Sequence, residues 1–282
     1  WRRSRSRSLQ CAGMNRTKPR KGGFAGGSGF LLPAFVFLCA WAVYLSGVKP
    51  GAGWGDGVDF ILSADYLGVA HPTGYPLVTL LGKLFLYLPA GEAAFRFNIL
   101  SALAGAAAAA VFFRIAYVLS RSVAISVYTA AVLVLSSFLW MQSVTAEVYS
   151  LNLFFFLCLL ILAPGISERF GLRAAVASVA LAALALGNHA TLVFPAVVIA
   201  VAGLAAERKN WKTVIAAGAF FVVAGFTLYA CLPLFSARAD LFDWNRPADP
   251  AGFFLLLSGW DFWVIGEYDP VKMWANLKAL AA

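Results

Sequence analysis

Three carboxylates, one imidazole and two turns rich in glycine and proline lie within residues 54–76, WGDGVDFILSADYLGVAHPTGYP. The acids are Asp56, Asp59 and Asp65, and the imidazole is His71. A carboxylate partly removed from water can have its pKa raised towards that of a useful general base. Asp56 and Asp59 would share one face of a helix that begins near Asp56. Capping of that helix by Asp56 is the alternative, and the sequence fits both roles.

Further polar motifs interrupt the apolar stretches around this segment. AHPTGYP contains His71 and Tyr75, TAEVYS contains Glu147 and Tyr149, GNHA contains Asn188 and His189, and FDWNRP contains Trp244 and Asn245. Such side chains can bind and deprotonate a polar substrate. Some of these residues also have a structural alternative. Glu147 would be a solvated loop charge or a charge at a helix start, and His71 would lie in a turn held extended by the following proline. His189 would be a hydrogen-bonded imidazole at the interface.

Arginine and tryptophan side chains supply the remaining candidates. A guanidinium can hold a phosphate through two hydrogen bonds or anchor a lipid headgroup. Tryptophan is typical of the lipid–water boundary, with stacking on a sugar as the alternative. The residues concerned are Arg96, Arg238, Arg246, Trp54, Trp244, Trp260 and Trp263. Because GxGxxG, Walker, HExxH and GxSxG motifs are absent from the sequence, nucleotide binding and common hydrolase chemistry have no support.

The composition predicts a membrane protein built of helices. Of the 282 residues, 61% are hydrophobic and 12% are charged, with a mean hydropathy of +0.79. A soluble domain has roughly 25% charged residues, so this chain needs lipid to cover its surface. The apolar stretches lack the alternation of a β-barrel, and helices satisfy their own backbone hydrogen bonds in lipid. The four cysteines show no metal-binding spacing, and we expect no disulfide.

Seven apolar stretches are predicted to cross the bilayer, and segment 77–88 is not. That segment contains Lys83 and would be only about 18 Å long at about 1.5 Å per residue. If it stays outside the membrane, the inner side receives 15 of the 22 basic residues and two of the thirteen acids, in line with the positive-inside bias. The predicted spans are 30–48, 97–119, 123–141, 151–163, 172–186, 190–206 and 213–234.

This topology places every polar motif on the outer side. Three parts are predicted: a disordered basic cytoplasmic arm (1–29), a transmembrane domain (30–235), and an outer aromatic and polar segment (236–282). The outer loop of the transmembrane domain (49–95) is predicted to bear two interfacial helices, near 59–69 and 77–88. The final run, 271–282, has no terminating signal, and we expect the sequence to be part of a longer chain.

The order of the motifs resembles a known family. The matching stretches are GDGVD, LGVAHPTGYPL, LPAGEAAFRFNILSAL, TAEVYSLN, LGNHATLV and LPL…DWNRP, from about residue 51 to 260. They are similar to a large bacterial family of multi-pass membrane proteins that is related to the eukaryotic transmembrane protein O-mannosyltransferase of plexin-type receptors. That family belongs to the GT-C class of glycosyltransferases.

The resemblance implies a GT-C-like helical bundle and transfer of a sugar, mannose being favoured, from a polyprenyl-phosphate-linked donor. The sugar would pass with inversion to a hydroxyl of a protein, glycan or lipid on the non-cytosolic side. By the family pattern, Asp56 matches the aspartate that acts as base. Asp59 stands where the family has glutamate, so its shorter side chain reaches less far, and Thr73 replaces a proline. Many members carry a longer C-terminal part.

The expectation is therefore an all-α polytopic membrane glycosyltransferase. Its candidate catalytic residues are Asp56 and Asp59, and its candidate substrate-binding residues are His71, Tyr75, Arg96, Glu147, Tyr149, Asn188, His189, Trp244 and Asn245. Expected partners are membrane lipids, the lipid-linked donor and the acceptor, without nucleic acid. No cofactor is assigned beyond the polyprenyl-phosphate sugar as donor substrate, and a divalent metal is an open alternative that no motif supports. The expected location is the inner or plasma membrane with a cytoplasmic N-terminus, or the ER membrane in a eukaryote. The alternatives are a transporter or flippase for a lipid-linked or acidic solute and a non-catalytic scaffold. The lack of ionisable residues in the middle of the predicted spans disfavours the transporter or flippase.

Overall fold

Helix α4 (Ala93–Ser120) lies at the centre of the helix packing, with α1 (Ser28–Gly47) along it. Residues 102–110 of α4 are almost all alanine or glycine, and Ala102, Ala106 and Ala109 are fully buried. Small side chains let neighbouring helices approach closely in a membrane protein. A side chain on Gly105 would overlap the Ser143 hydroxyl, so this approach requires glycine.

The computed structural model describes residues 28–53, 55–164, 166–167, 171–206, 211–238 and 241–261. The remaining helices in these ranges are α2 (Gly57–Tyr66), α3 (Pro76–Leu86), α5 (Val123–Leu135), α6 (Ser137–Val144), α7 (Tyr149–Leu162), α8 (Leu172–Leu186), α9 (Val193–Ala206), α10 (Trp211–Tyr229), α11 (Cys231–Ser236) and α12 (Pro250–Ser258), with a 3-10 turn at Ala190–Leu192 before α9. The predicted basic arm, apart from residues 28 and 29, and the final run 271–282 fall outside these ranges.

The structure confirms an all-α polytopic membrane protein. Three stretches of helix, Phe30–Gly47, Ala93–Ser120 and Trp211–Ser236, are long and apolar enough to cross a bilayer, and the pair α5–α6 adds a fourth if it counts as one span. Helices α7, α8 and α9 are apolar but shorter, with 14, 15 and 14 residues. The count of seven spans and the orientation of the chain stay predictions.

The expected continuous helix over 123–141 is instead broken. Helices α5 and α6 meet at an angle of 61°. Ser136 between them has an extended backbone, its hydroxyl donates to the Leu133 carbonyl at 2.7 Å, and it accepts from the Leu139 N–H at 3.4 Å. The Ser136 side chain thus lies at the end of α5 and caps the start of α6. Because the helical hydrogen bonds are interrupted at this residue, the two helices can meet at an angle.

Helices α2 and α3 form a pair that packs on α4 and carries the polar motifs. Helices are found where interfacial ones were predicted, near 59–69 and 77–88, although their position at a membrane surface stays a prediction. Phe60, Ala64 and Val78 bury the shared side of the pair in the same core as Phe97 of α4. The first turn of α2 is therefore held firmly, with its polar residues at the edge of this core.

Candidate active site

Asp56 immediately precedes helix α2, and its carboxylate is open to solvent. Gly55 has a positive φ of 93°, which bends the chain sharply into the helix. Although Asp56 occupies the N-cap position, its side chain makes no capping hydrogen bond, and 57% of that side chain is exposed. The capping alternative for the Asp56 side chain is therefore wrong, and its carboxylate remains available for a ligand.

Asp59, one turn further along, holds His71. Its Oδ2 accepts the His71 backbone N–H at 3.0 Å and pairs with His71 Nδ1, and only 16% of the Asp59 side chain is exposed. This pairing leaves His71 Nε2 directed at Asp56, 3.7 Å from Asp56 Oδ2. The order is carboxylate, imidazole, carboxylate, in which the buried acid orients the ring and the exposed acid faces its far nitrogen.

Trp244 reaches the same carboxylate from a part of the chain far away in sequence. Its indole Nε1–H donates to Asp59 Oδ1 at 2.9 Å. We call residues 241–245 the strap. The strap pairs in parallel with the loop after α2, since Val69 N–H donates to Phe242 O at 3.1 Å and Trp244 N–H donates to Val69 O at 3.2 Å. A side chain on Gly68 would overlap the Phe242 carbonyl, so the glycine of the LG-x-AHP motif permits this pairing.

These groups border a pocket of about 410 Å³. Two carboxylates and an imidazole supply ionisable groups to its lining, and most of the other lining residues are apolar or aromatic. The lining residues are Gly55, Asp56, Val58, Asp59, Leu62, His71, Phe242 and Trp244. A small number of polar groups in an otherwise apolar pocket is the usual form of a small-molecule or substrate site.

A row of rings packs behind His71. The ring centroids of His71 and Tyr75 are 4.9 Å apart, those of Tyr75 and His189 are 5.7 Å apart, and those of His189 and Tyr149 are 5.9 Å apart. Burial, together with nearby negative charge, raises the pKa of Tyr75. Tyr75 is thus a neutral supporting ring behind the pocket wall, and Tyr149 ends the row at an exposed position, with 42% of the residue accessible.

Glu147 lies next to Gly55 and is not among the residues that line the pocket. Its Oε1 is 3.7 Å from the place where a β-carbon would stand on Gly55. Its Oε2 is buried and has no hydrogen-bond partner among the described residues, while its backbone N–H and carbonyl both bond the Ser101 hydroxyl, at 3.3 and 3.2 Å. Burial, reinforced by the charge of Asp56, raises the pKa of Glu147 to about 7. Glu147 therefore changes charge near neutral pH beside the candidate base.

Asn188 and His189 have structural partners and do not line the pocket. The Asn188 side chain is buried and donates to the Val148 carbonyl at 3.4 Å and to Asn152 Oδ1 at 3.3 Å. His189 Nδ1 accepts the Thr191 N–H at 3.2 Å and so caps the 3-10 turn. Burial lowers the pKa of His189, as does the charge on His71. These contacts fit the hydrogen-bonded alternative for His189 rather than a proton carrier.

Arg96 and Asn245 are also used by the fold. The Arg96 guanidinium donates to the carbonyls of Leu86, Ala90 and Gly91 at 2.8 to 3.1 Å, which closes the loop between α3 and α4. It does not border the pocket, and its interpretation as a phosphate ligand stays a prediction beside this structural role. Asn245 Nδ2 donates to Asp261 Oδ2 at 2.6 Å, which ties the strap to the residues that follow α12.

Sequence reasoning missed the apolar wall of the pocket. Val58, Leu62 and Phe242 line it, yet in the sequence they look like any other apolar residues. For Leu62 a signal existed, since it lies three residues after Asp59 and therefore on the same face of the predicted helix. Trp54 and Trp263 lie outside the described residues. Within the described ranges, no three acidic, histidine or cysteine side chains are grouped so as to hold a metal ion.

Comparison with known proteins identifies a family and relatives of the same description. The family profile described as "Protein O-mannosyl-transferase TMEM260 N-terminal domain" matches residues 56–214. The chain is 45% identical over 75 residues to mouse "Protein O-mannosyl-transferase TMEM260", covering 26% of this chain and 11% of that protein. It is 33% identical over 76 residues to the protein of the same description from Dictyostelium discoideum, covering 26% of this chain and 9% of that protein. No solved structure matches the chain. The profile begins at Asp56 and ends before the strap.

Proposed function

The chain belongs to the family of the protein O-mannosyl-transferase TMEM260 N-terminal domain, and on that premise we propose that it is a membrane glycosyltransferase. The transferred sugar is mannose, after the name of the relatives. In this proposal the donor is a polyprenyl-phosphate-linked sugar and the acceptor is a hydroxyl on the non-cytosolic side. Transfer follows the inverting mechanism of the GT-C class. The alignments span about a tenth of each relative, so activity, donor and acceptor are all parts of the proposal.

In the proposed reaction, Asp56 is the general base. The acceptor oxygen forms a bond to the anomeric carbon as its proton moves to the Asp56 carboxylate. The bond from that carbon to the phosphate oxygen breaks, and the polyprenyl phosphate leaves with the electron pair. His71 Nε2, 3.7 Å from Asp56 Oδ2, stabilises the carboxylate before transfer and orients it towards the pocket.

The observation that carries this assignment is the contrast between the two acids at the start of α2. Both oxygens of Asp59 are occupied, one by His71 and the other by Trp244. The Asp56 carboxylate faces the pocket, without a capping bond. A base must reach the proton that it removes, so the open carboxylate suits that role and the occupied carboxylate suits positioning.

The departing phosphate needs a cation. Since Arg96 is held by backbone carbonyls, we assign this role to one of the exposed arginines, Arg238 or Arg246. Arg246 is two residues beyond Trp244, and its side chain would stabilise negative charge from the rim rather than from inside the pocket.

The direct test is Asp56→Asn in the purified protein, reconstituted in liposomes with a radiolabelled polyprenyl-phosphate-linked mannose and an acceptor peptide. Transfer should be lost while membrane insertion is unchanged. The matched control is Asp65→Asn, which changes an acid at the other end of α2 that interacts with Lys83. Asp65→Asn should retain activity, and full activity of Asp56→Asn would exclude Asp56 as the base. Uptake driven by a proton or sodium gradient, without transfer, would favour the transporter alternative.

A further inference from the structure

The pocket carries net negative charge whatever the state of its histidine. Its ionisable lining residues are Asp56, Asp59 and His71, that is, two acids and one imidazole. A protonated His71 leaves a net charge of about minus one, and a neutral His71 leaves about minus two. Glu147, next to Gly55, can add to this charge and cannot reduce it.

No lysine or arginine lines this pocket in the described part of the chain, and Lys83 and Arg96 are engaged elsewhere. Lys83 Nζ donates to the Asp65 backbone carbonyl at 2.6 Å and lies 3.9 Å from the Asp65 carboxylate. Arg96 is bonded to three backbone carbonyls. A phosphate placed in the pocket would therefore meet two carboxylates without a compensating cation, which is an unfavourable arrangement.

We infer that this pocket receives the acceptor and selects hydroxyl groups whose flanking residues are neutral or basic, while the donor phosphate stays outside it. The inference rests on the proposed function and adds a substrate class to it. The neutral sugar and the acceptor hydroxyl meet at Asp56, and the phosphate remains towards the rim. A lysine or arginine beside the acceptor hydroxyl would be attracted by the pocket, and a glutamate or aspartate would be repelled.

Coulomb's law sets the size of the effect. A unit charge about 8 Å from one net negative charge changes binding about two- to sixfold for effective dielectric constants between about 80 and 40. Replacement of lysine by glutamate changes two charges, so the two peptides should differ by about fivefold or more. Screening has a length of about 10 Å at 0.1 M salt and about 3 Å at 1 M, so high salt should remove most of the difference.

The experiment uses the whole chain in liposomes and three peptides, each with one serine flanked by lysine, glutamine or glutamate. Binding of the dye-labelled peptides is measured without donor, and kcat/KM is measured with the lipid-linked mannose. At low salt both should follow the order lysine, glutamine, glutamate, with about a fivefold or larger span that shrinks towards one near 1 M salt. Inorganic phosphate, at matched ionic strength, should not displace the lysine peptide.

A change in the lining tests the origin of the selectivity. Val58 is uncharged, half exposed and part of the pocket wall. Val58→Lys should bring the ratio between lysine and glutamate peptides close to one, whereas Val58→Gln, which alters shape without charge, should keep it. Equal or stronger binding of the glutamate peptide to the unaltered chain, displacement by phosphate, or an unchanged ratio in Val58→Lys would overturn the inference. Charge-ordered binding without sugar transfer would instead refute the proposed function and leave the pocket's selectivity standing.

Discussion

Replacement of Asp59 by asparagine should damage both the stability and the activity of the protein, although Asp59 is not the base in our proposal. Three donors converge on its carboxylate: the backbone N–H of His71, the ring of His71 and the indole of Trp244. In Asp59→Asn, one oxygen becomes an amide that is itself a donor. At least one His71 donor then loses its acceptor, while Trp244 keeps a neutral one.

The expected cost follows from these bonds. Exchange of a charged for a neutral acceptor removes about 1 kcal/mol, and a buried donor left without a partner costs about 1–3 kcal/mol. Because the site is partly open to water, we expect a loss of about 2–3 kcal/mol in the free energy of unfolding. The imidazole also loses its fixed orientation, so kcat should fall about 10- to 100-fold, as expected for a lost positioning contact.

The assay compares Asp59→Asn with Asp56→Asn in the same detergent. The midpoint of thermal unfolding should fall for Asp59→Asn and change little for Asp56→Asn, because the exposed pair between Asp56 and His71 contributes only about 0–1 kcal/mol. Transfer should show the opposite ranking, with residual activity in Asp59→Asn and none in Asp56→Asn. Unchanged stability of Asp59→Asn, or complete loss of activity in that variant alone, would refute the division of roles.

Two further predictions concern the strap and Glu147. Gly68→Ala should push the strap away from the loop after α2, lower the free energy of unfolding by about 1–3 kcal/mol and reduce sugar transfer. The control is Gly51→Ala, because a β-carbon at that position meets nothing within 4 Å. Both variants are compared in thermal unfolding and activity assays. The pKa of Glu147 is raised in the folded protein to about 7, so its contribution to stability should be greatest at acid pH and should decline as pH rises from about 4.5 through about 7. Glu147→Gln should remove this part of the pH dependence of the unfolding midpoint, and an identical profile in that variant would contradict the buried position of the carboxyl.

The helices could be predicted from the sequence largely because long apolar stretches identify lipid-facing helices. The prediction of 172–186 coincides with Leu172–Leu186, and the two helices of the long loop lie close to their predicted places. The break at Ser136 was missed because a serine in an apolar run is equally compatible with a straight helix, and only the packing of α5 and α6 decides. Periodicity describes single elements, and it carries no information about the angle between them.

Within the site, the sequence could identify residue types but could not assign partners. The grouping of Asp56, Asp59 and His71 was predictable because one turn of helix and a short loop bring them together. The contact between Trp244 and Asp59 spans 185 residues and depends on two backbone hydrogen bonds, which leave no repeating pattern. For the same reason the role of Arg96 was open, since a guanidinium that binds carbonyls and one that binds phosphate look alike in a sequence.

The two acids at the start of α2 show why, in our proposal, exposure rather than proximity to a histidine distinguishes the base from the supporting acid. Asp59 is closer to His71 than Asp56 is, and by distance alone it would be the stronger candidate. Its oxygens, however, already accept hydrogen bonds from His71 and Trp244, and an acceptor hydroxyl would have to displace one of them before it could lose its proton. Asp56 needs no such displacement. The bonds that hold Asp59 also hold the imidazole and the strap, so in our proposal the supporting acid keeps the base facing a formed pocket.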